Sequence, residues 1–181
     1  MWVLLFPFVI LTVVIGLFVV VGVYSWQKAK ERTRLLQATA TQLGWSFVAS
    51  AQFNMIPGLE RFALFSSGQG RRITNFMYGE ASGIKAAVFD YAYTTGSGKN
   101  RQTHYQSVVY LEPGNLSLPY FSLRPENFLL KIFTAFGYQD IDFGQRPEFS
   151  RQYILRGQDE PAIRQTFNDR LLSFYESYPS E

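Results

Sequence analysis

The chain has 181 residues, no cysteine, one histidine and a formal net charge of +3 at pH 7. The missing cysteines exclude disulfides, thiol nucleophiles and thiolate metal sites, and one histidine excludes a cluster of imidazole ligands. The net charge falls on residues 28–34, because the 147 residues from Leu35 to Glu181 carry equal numbers of acidic and basic side chains. A part without net charge argues against nucleic acid as a partner. No pattern predicts a cofactor or metal.

The first 24 residues, Met1 to Tyr24, contain no charged side chain. As a helix they would extend about 35 Å, which exceeds the roughly 30 Å of a hydrocarbon core. A cleaved signal peptide would need a basic start, a shorter apolar run and a small-residue cleavage site, and the sequence lacks all three. We therefore predict a transmembrane helix over residues 1–24 that acts as a signal-anchor. Thr12 and Gly16, four residues apart, would allow another helix to approach closely.

Four cations follow the apolar run: Lys28, Lys30, Arg32 and Arg34. Glu31 is the only acidic residue among them. Because cytoplasmic flanks of membrane helices are enriched in Lys and Arg, this asymmetry predicts that the part after the anchor is cytoplasmic. The same cations could also contact anionic lipid head groups, at about 1 kcal/mol each.

Residues 25–44 show a helical pattern that ends at a glycine. Small or apolar side chains recur at three- and four-residue steps: Ala29, Thr33, Leu36, Ala40 and Leu43. Gly44 stands where a helix is expected to stop. The pattern predicts a basic juxtamembrane helix that extends the membrane helix as a stalk.

Residues 45–181 are predicted to form one soluble α+β domain. Alternating or continuous apolar runs predict strands at 45–49, 71–78, 84–95, 103–112, 116–123 and 149–156, with a further short strand or turn at 140–143. Helical spacing predicts one helix at 125–136 and a last helix capped by Asp159 or Glu160. Because the loops between the central strands are short, we predict an antiparallel meander of about five or six strands with two main helices packed on it.

The run Thr95–Asn100 superficially resembles a phosphate-binding loop. The motif needs a glycine where Tyr93 stands and Ser or Thr where Asn100 stands, and it must open a helix. Residues 101–112 alternate instead like a strand. The glycines of this run are therefore predicted to form a hairpin loop.

Ionisable residues give no convincing catalytic pattern. A dyad would have to use His104, and Asp90 is its nearest plausible carboxylate. If the hairpin turns near residues 98–100, one register leaves them roughly 13 Å apart and the other puts them on opposite faces. Asp140 and Asp142 would share a face of an extended segment, but two carboxylates without further oxygen ligands are a weak cation signal. We predict no catalytic residue.

Tyrosines near the hairpin loop suggest a contact surface. Tyr91 and Tyr93 share one strand face beside Gly96–Gly98, and Tyr105 follows just across the loop. Tyrosine suits half-wet interfaces because its ring is apolar and its hydroxyl is polar. If the protein has a protein partner, we predict that these three tyrosines contact it.

A resemblance is carried by four stretches: Phe89-Asp90-Tyr91, Thr94 through Gly98, Pro147-Glu148-Phe149-Ser150 through Tyr153, and Gly157-Gln158-Asp159-Glu160. With them the chain resembles bacterial single-pass membrane proteins of the domain-of-unknown-function kind. The resemblance implies a bacterial inner-membrane setting and no particular activity.

The sequence thus predicts a membrane-tethered, cytoplasmic-facing interaction or accessory domain, whose partners are the lipid bilayer and a membrane protein. Two alternatives stay open. One is a membrane-anchored hydrolase with a carboxylate site that the sequence does not identify. The other is a lipid-handling domain, which the abundant phenylalanine would suit.

Overall fold

A computed structural model describes residues 2–114, 116–126 and 139–178, with the side chains of 2–19 left out. The helices are α1 (Trp2–Leu43), α2 (Ala63–Ser66), α3 (Pro147–Gln152), α4 (Glu160–Thr166) and α5 (Asp169–Ser177); the strands are β1 (Ser46–Ala51), β2 (Gln69–Ala81), β3 (Ile84–Thr95), β4 (Gln102–Pro113), β5 (Phe121–Pro125) and β6 (Tyr153–Gly157). They form two compact units: unit 1 is Met1–Pro57 with Gln69–Gly114, and unit 2 is Gly58–Gly68 with Asn115–Glu181.

Helix α1 is one unbroken helix of 42 residues, about 63 Å long at 1.5 Å per residue. It joins the two helices predicted for residues 1–24 and 25–44. The helix ends as predicted at Gly44, whose φ of +68° favours glycine. The Gly44 N–H donates to the Thr41 carbonyl (3.2 Å) and the Trp45 N–H to the Ala40 carbonyl (2.8 Å), which satisfies two carbonyls of the last turn.

Among the residues whose side chains are described, no helix is both long enough and apolar enough to cross a membrane. The segment predicted to span, residues 1–24, lies mostly outside those residues. Its insertion into a membrane stays a prediction.

Unit 1 contains a four-stranded antiparallel sheet in the order β1-β2-β3-β4. The meander is confirmed for these strands, and β3 has the bounds that the sequence predicts. The β2–β3 turn consists of Ser82 and Gly83, both with positive φ, as a two-residue hairpin requires. A register shift in β2 between Thr74 and Met77 contains Asn75, which has a φ of +52°. This bulge re-aims the Asn75 side chain.

The β3–β4 hairpin closes with Thr95 opposite Gln102. Between them, residues 98–100 form a single 3-10 turn. Gly96 has a φ of +73°, and a Cβ there would collide with the Asn100 carbonyl oxygen. The glycines therefore serve a tight hairpin loop, as predicted, and this loop opens no helix.

The prediction of one sheet with five or six strands is wrong for the last two strands. β5 and β6 pair with each other in a separate two-stranded sheet. Residues 149–152, predicted as the start of a strand, belong to helix α3. Pro147 favours this helix because its fixed φ suits a first helical turn.

The two predicted helices of the C-terminal part have different outcomes. Residues 127–136 of the helix predicted at 125–136 lie outside the described residues, and Pro125 ends β5. The last helix is divided into α4 and α5. Asp159 caps α4 as predicted, through its Oδ1 and the Ala162 N–H (3.1 Å). A second cap, Asn168, starts α5 by accepting from the Leu171 N–H (3.1 Å).

Unit 2 has its own hydrophobic core. The buried members are Ile141, Phe149, Tyr153, Leu155, Ile163, Phe167 and Leu172. Phe149 is fully buried, and its ring lies 5.5–6.1 Å from those of Tyr153, Phe143, Phe167 and Tyr175. An aromatic cluster of this kind replaces a broad sheet as the basis of packing in this unit.

Candidate functional site

The four cations that follow the apolar run have different contacts. The ammonium groups of Lys28 and Lys30 lie over the rings of Tyr24 and Trp26, at 5.0 and 4.7 Å from the ring centroids. Arg34 pairs with Glu31 on the exposed side of the helix (2.7 Å). Arg32 differs from the other three, because it extends to the sheet.

Arg32 binds Asp90 of β3 with both arms of its guanidinium. Its Nε donates to Oδ2 (2.8 Å) and its Nη2 to Oδ1 (2.6 Å), so the planar fork matches the carboxylate. The same Nη2 donates to the Ser107 Oγ on β4 (3.0 Å). One arginine therefore connects α1 to two adjacent strands.

Two further side chains complete this network. The Asn75 Nδ2 donates to the Asp90 Oδ2 (2.8 Å), and the Thr33 hydroxyl of α1 donates to the Asn75 Oδ1 (2.8 Å). The Ser107 hydroxyl lies 3.2 Å from the Asp90 Oδ1 and donates to it. We call the five residues Arg32, Thr33, Asn75, Asp90 and Ser107 the helix–sheet clasp.

The electrostatics of the clasp keep Asp90 ionised. Burial by itself would raise the pKa of Asp90. Hydrogen bonds from Arg32, Asn75 and Ser107, together with the Arg32 charge, outweigh burial and leave the pKa below its ordinary value. The paired Arg32 has a raised pKa in turn, mainly through its hydrogen bond to Asp90. Both groups are therefore charged at neutral pH.

The clasp is better suited to holding α1 on the sheet than to catalysis. The Asp90 oxygens already accept four hydrogen bonds, and a carboxylate with a lowered pKa is a weak proton acceptor at pH 7. An acidic residue in a central strand needs partners because an unpaired buried charge is costly. The clasp supplies them and fixes where α1 lies on the sheet.

Part of the small-residue stripe predicted on the juxtamembrane helix packs on the same sheet, although its first member, Ala29, is exposed. Ala40 is fully buried, Thr33 and Leu36 are half-buried, and Leu43 is exposed. At the end of the helix Trp45 covers Gly79 so closely that a Cβ at this glycine would collide with the indole ring. The small side chains thus let α1 approach the sheet closely, and the clasp fixes where on the sheet the helix lies.

Beside the clasp lies an open cleft of about 570 Å³. Its lining includes Ala29 from α1, Arg72 from β2 and Tyr105 from β4. The Arg72 guanidinium lies 6.0 Å from the centroid of the Tyr105 ring, and both side chains are exposed. The cleft therefore has a cationic and aromatic wall next to a neutralised ion pair.

We expect the Arg32–Asp90 pair to contribute about 1 kcal/mol of coupling to the stability of the full chain, because it is bidentate but half-exposed. A double-mutant cycle with Arg32→Ala and Asp90→Ala, measured by urea unfolding in detergent, would give this value. Because the Asp90 pKa is lowered by folding, its contribution is present at neutral pH and is lost as pH falls below about 4.

The matched cycle uses Arg34 and Glu31, which pair within the exposed face of α1. That pair should show a smaller coupling with no structural consequence for the sheet. Equal couplings in the two cycles, or a coupling of zero for Arg32 and Asp90, would contradict a docking role for the clasp.

The structure does not bring the three predicted contact tyrosines together. Tyr91 and Tyr93 are buried, at 1% and 0% exposure, on the face opposite the clasp. Tyr105 pairs with Ala92 rather than with either tyrosine, so it lies on the clasp face, where it is 72% exposed. A joint surface of the three is therefore corrected to Tyr105 alone, because side chains alternate along β3. Contact with a partner stays a prediction.

His104 and Asp90 cannot form a dyad in this register. His104 pairs with Tyr93, whereas Asp90 pairs with Ser107, so the two side chains lie on opposite faces, as one of the two considered registers implies. The His104 ring stacks on Tyr93 at 4.9 Å, and its Nε2 lies 2.8 Å from the Thr95 hydroxyl. A half-buried, stacked imidazole is a structural side chain.

The predicted carboxylate pair also has structural contacts. The Asp140 Oδ1 accepts from the Leu155 N–H (2.9 Å), next to the bridge between Asp140 and Arg156. Burial raises the pKa of Asp140, and the charge of Asp142 adds to this effect. In the part of the chain that the structure describes, no three His, Cys, Asp or Glu side chains are grouped to hold a metal ion.

Comparisons with protein families, with curated proteins and with solved structures find no match for this chain. The site must therefore be interpreted from its own geometry.

Proposed function

We propose that the chain is a single-pass membrane protein whose part after the anchor is an interaction or accessory module on the cytoplasmic face. The observation that carries the proposal is the continuity of α1, which runs from the apolar N-terminal residues into the clasp without a break. A flexible linker would let the module move freely. An uninterrupted helix fixed by a bidentate ion pair holds it at a set position.

The cytoplasmic placement and the inner-membrane setting belong to this proposal. The four flanking cations support the orientation. Tyr24 and Trp26 add support, since aromatic side chains are enriched at membrane–water interfaces and here each holds a lysine over its ring. The bacterial setting follows from the sequence resemblance.

The contact surface that we propose is the clasp face of β4. Tyr105, Val109 and Leu111 alternate with inward side chains and are 72%, 66% and 59% exposed. Helix α1 packs on β1 and β2, and a helix about 10 Å wide covers about two strands spaced 4.8 Å apart. Arg32 contacts Ser107 on this face, and we assign the exposed side chains on either side of Ser107 to an apolar helix of a membrane-protein partner that lies beside α1.

We expect reporter fusions at Glu181 to be active only with a reporter that works in the cytoplasm, and the protein to resist extraction from membranes by alkaline carbonate. Changing Lys28, Lys30 and Arg34 to Gln should weaken the orientation while leaving the clasp intact, because Arg32 is retained. Activity of a reporter that functions only outside the cytoplasm would refute the orientation. Release by carbonate would refute the anchor.

The contact surface has its own test. A photo-crosslinking amino acid at Val109 should give a discrete adduct in membranes, and the Leu111→Asp substitution should abolish it. The same probe at Phe174, which is also exposed but lies in unit 2, serves as the control. Indistinguishable adducts from the two positions would contradict the assignment.

Neither sequence alternative gains a specific observation in the described residues. A hydrolase would need a carboxylate free to take a proton. Asp90 is ionised and accepts four hydrogen bonds, and Asp140, whose pKa is raised by burial, accepts from the Leu155 N–H. A lipid-handling domain would need an enclosed apolar tunnel, whereas the cleft beside the clasp is open and carries Arg72, Asn75 and Asp90 in its wall.

A further inference from the structure

One end of the four-stranded sheet is basic. It consists of the start of β2 and the β3–β4 hairpin, because Gln69 pairs with Thr94 and Thr95 with Gln102. Four exposed cations lie there: Arg71, Arg72, Lys99 and Arg101. Residues 69–79 and 91–111 contain no Asp or Glu, so these stretches of the strands add no acidic side chain to this end of the sheet. The opposite end carries Glu80, Lys85 and Glu112.

Helix α1 leaves the sheet at this basic end. Trp45 lies over Gly79, Thr33 binds Asn75, and Ala29 lines the cleft together with Arg72. Decreasing residue numbers along α1 therefore correspond to decreasing numbers along β2. The N-terminal half of the helix, with its apolar sequence, projects past the basic end and away from the acidic one.

The hairpin loop extends about as far as the start of the predicted interface. From Ala29 to Tyr24 the helix advances about 7.5 Å. From Ala92, which pairs with Tyr105 in the same cleft wall, to Thr95 the strand advances about 10 Å. For a helix and a strand that run roughly side by side, these advances bring the loop with Lys99 and Arg101 close to Tyr24, where the membrane span is proposed to end.

We propose that this basic end of the sheet is a second membrane contact, which binds the anionic phospholipid head groups of the bilayer that holds α1. The inference rests on the proposed anchor. Anionic lipid is the expected ligand of this basic end because phosphate-bearing head groups are negatively charged. Cations within a Debye length of such a surface are attracted to it. The clasp makes the contact possible, since it holds the sheet beside the helix that is proposed to enter the bilayer.

The test uses the full chain in vesicles of phosphatidylcholine with or without phosphatidylglycerol. Because the chain has no cysteine, Ser97→Cys gives a single labelling site in the hairpin loop, and Ala81→Cys gives a matched site at the other end of the sheet. An environment-sensitive fluorophore is attached to each, and its quenching by lipids spin-labelled at the head group is measured. We expect strong quenching at position 97 only in phosphatidylglycerol vesicles.

Removing two of the positive charges measures how much each contributes to binding of the hairpin loop to lipid. Lys99→Gln together with Arg101→Gln should lower the ratio of contacting to free hairpins about 30-fold, from about fivefold per cation near an anionic surface. Lys85→Gln, at the opposite end, should leave the quenching unchanged. Equal quenching at positions 97 and 81, or quenching at position 97 that is as strong in pure phosphatidylcholine as with phosphatidylglycerol, would overturn the proposal.

Carbonate extraction of the same vesicles separates the two proposals. Protein that resists extraction but shows no charge-dependent quenching at position 97 has an anchor and lacks the second contact. Protein that is extracted yet shows quenching dependent on Lys99 and Arg101 has the lipid contact without the anchor.

Discussion

Replacing Tyr93 with alanine should destabilise the protein by about 3–5 kcal/mol, the range for truncating a buried aromatic side chain. The Tyr93 side chain is fully buried, and its ring lies 5.4 Å from that of Tyr91 and 4.9 Å from that of His104. Truncation to alanine would remove the ring contacts with Tyr91 and His104 together and would leave a cavity. Urea unfolding of the full chain in detergent, followed by far-ultraviolet circular dichroism, would measure the loss.

Two variants make this prediction specific. Tyr93→Phe should leave stability unchanged or raise it, because the Tyr93 hydroxyl is buried and has no hydrogen-bond partner in the described part of the chain. Tyr105→Ala should change stability by no more than about 0.5 kcal/mol, as is usual for an exposed side chain. A destabilisation by Tyr105→Ala equal to that by Tyr93→Ala would contradict the assignment of the two tyrosines to opposite faces.

Phe149→Ala should destabilise unit 2 by a similar 3–5 kcal/mol, because the described residues of this unit form only a two-stranded sheet and pack around an aromatic cluster. The truncation removes ring contacts to four neighbours. Hydrogen exchange detected by mass spectrometry, resolved to peptides from β6 and α4, would locate the effect.

Phe174→Ala is the matched control, because Phe174 belongs to the same unit but is 54% exposed. It should leave exchange in β6 unchanged. If Phe149→Ala left exchange in β6 at the wild-type rate, the aromatic cluster would not be what holds this strand.

The part of the fold that could be predicted is the part determined by neighbours in sequence. Strand β3 has the predicted bounds because its apolar run is delimited by glycine turns, and the meander follows because those turns are short. Gly44 and Asp159 mark helix ends by local chemistry, and both do so in the structure.

The division into two sheets depends on pairing at long range, which periodicity does not encode. β5 pairs with β6 some 30 residues later, although an alternating pattern would equally suit a fifth strand beside β4. Residues 149–152 alternate like a strand, yet Pro147 and the burial of Phe149 decide for a helix. A segment this short can fit both the helical repeat of 3.6 residues and the strand repeat of 2 residues.

The clasp is not predictable from the sequence for a related reason. The basic neighbours of Arg32 in sequence make it look like one more membrane-flanking cation. The available signal was Asp90, the only acidic residue in a strand that is otherwise largely apolar, since a carboxylate in a central strand must have a cation or several donors nearby. Which cation supplies the charge depends on where α1 crosses the sheet, and residue spacing does not determine that.

The clasp also fixes the rotation of α1 about its own axis. Each residue turns an α-helix by about 100°, so the residues on the N-terminal side of Arg32 have a defined angular relation to the sheet as long as the helix is unbroken. Inserting one alanine between Tyr24 and Ala29 would rotate the apolar segment by that angle relative to the sheet, whereas inserting seven would restore its phase to within about 20°. The angular position of the apolar segment and that of the β4 face are therefore set by one another through the number of residues between them.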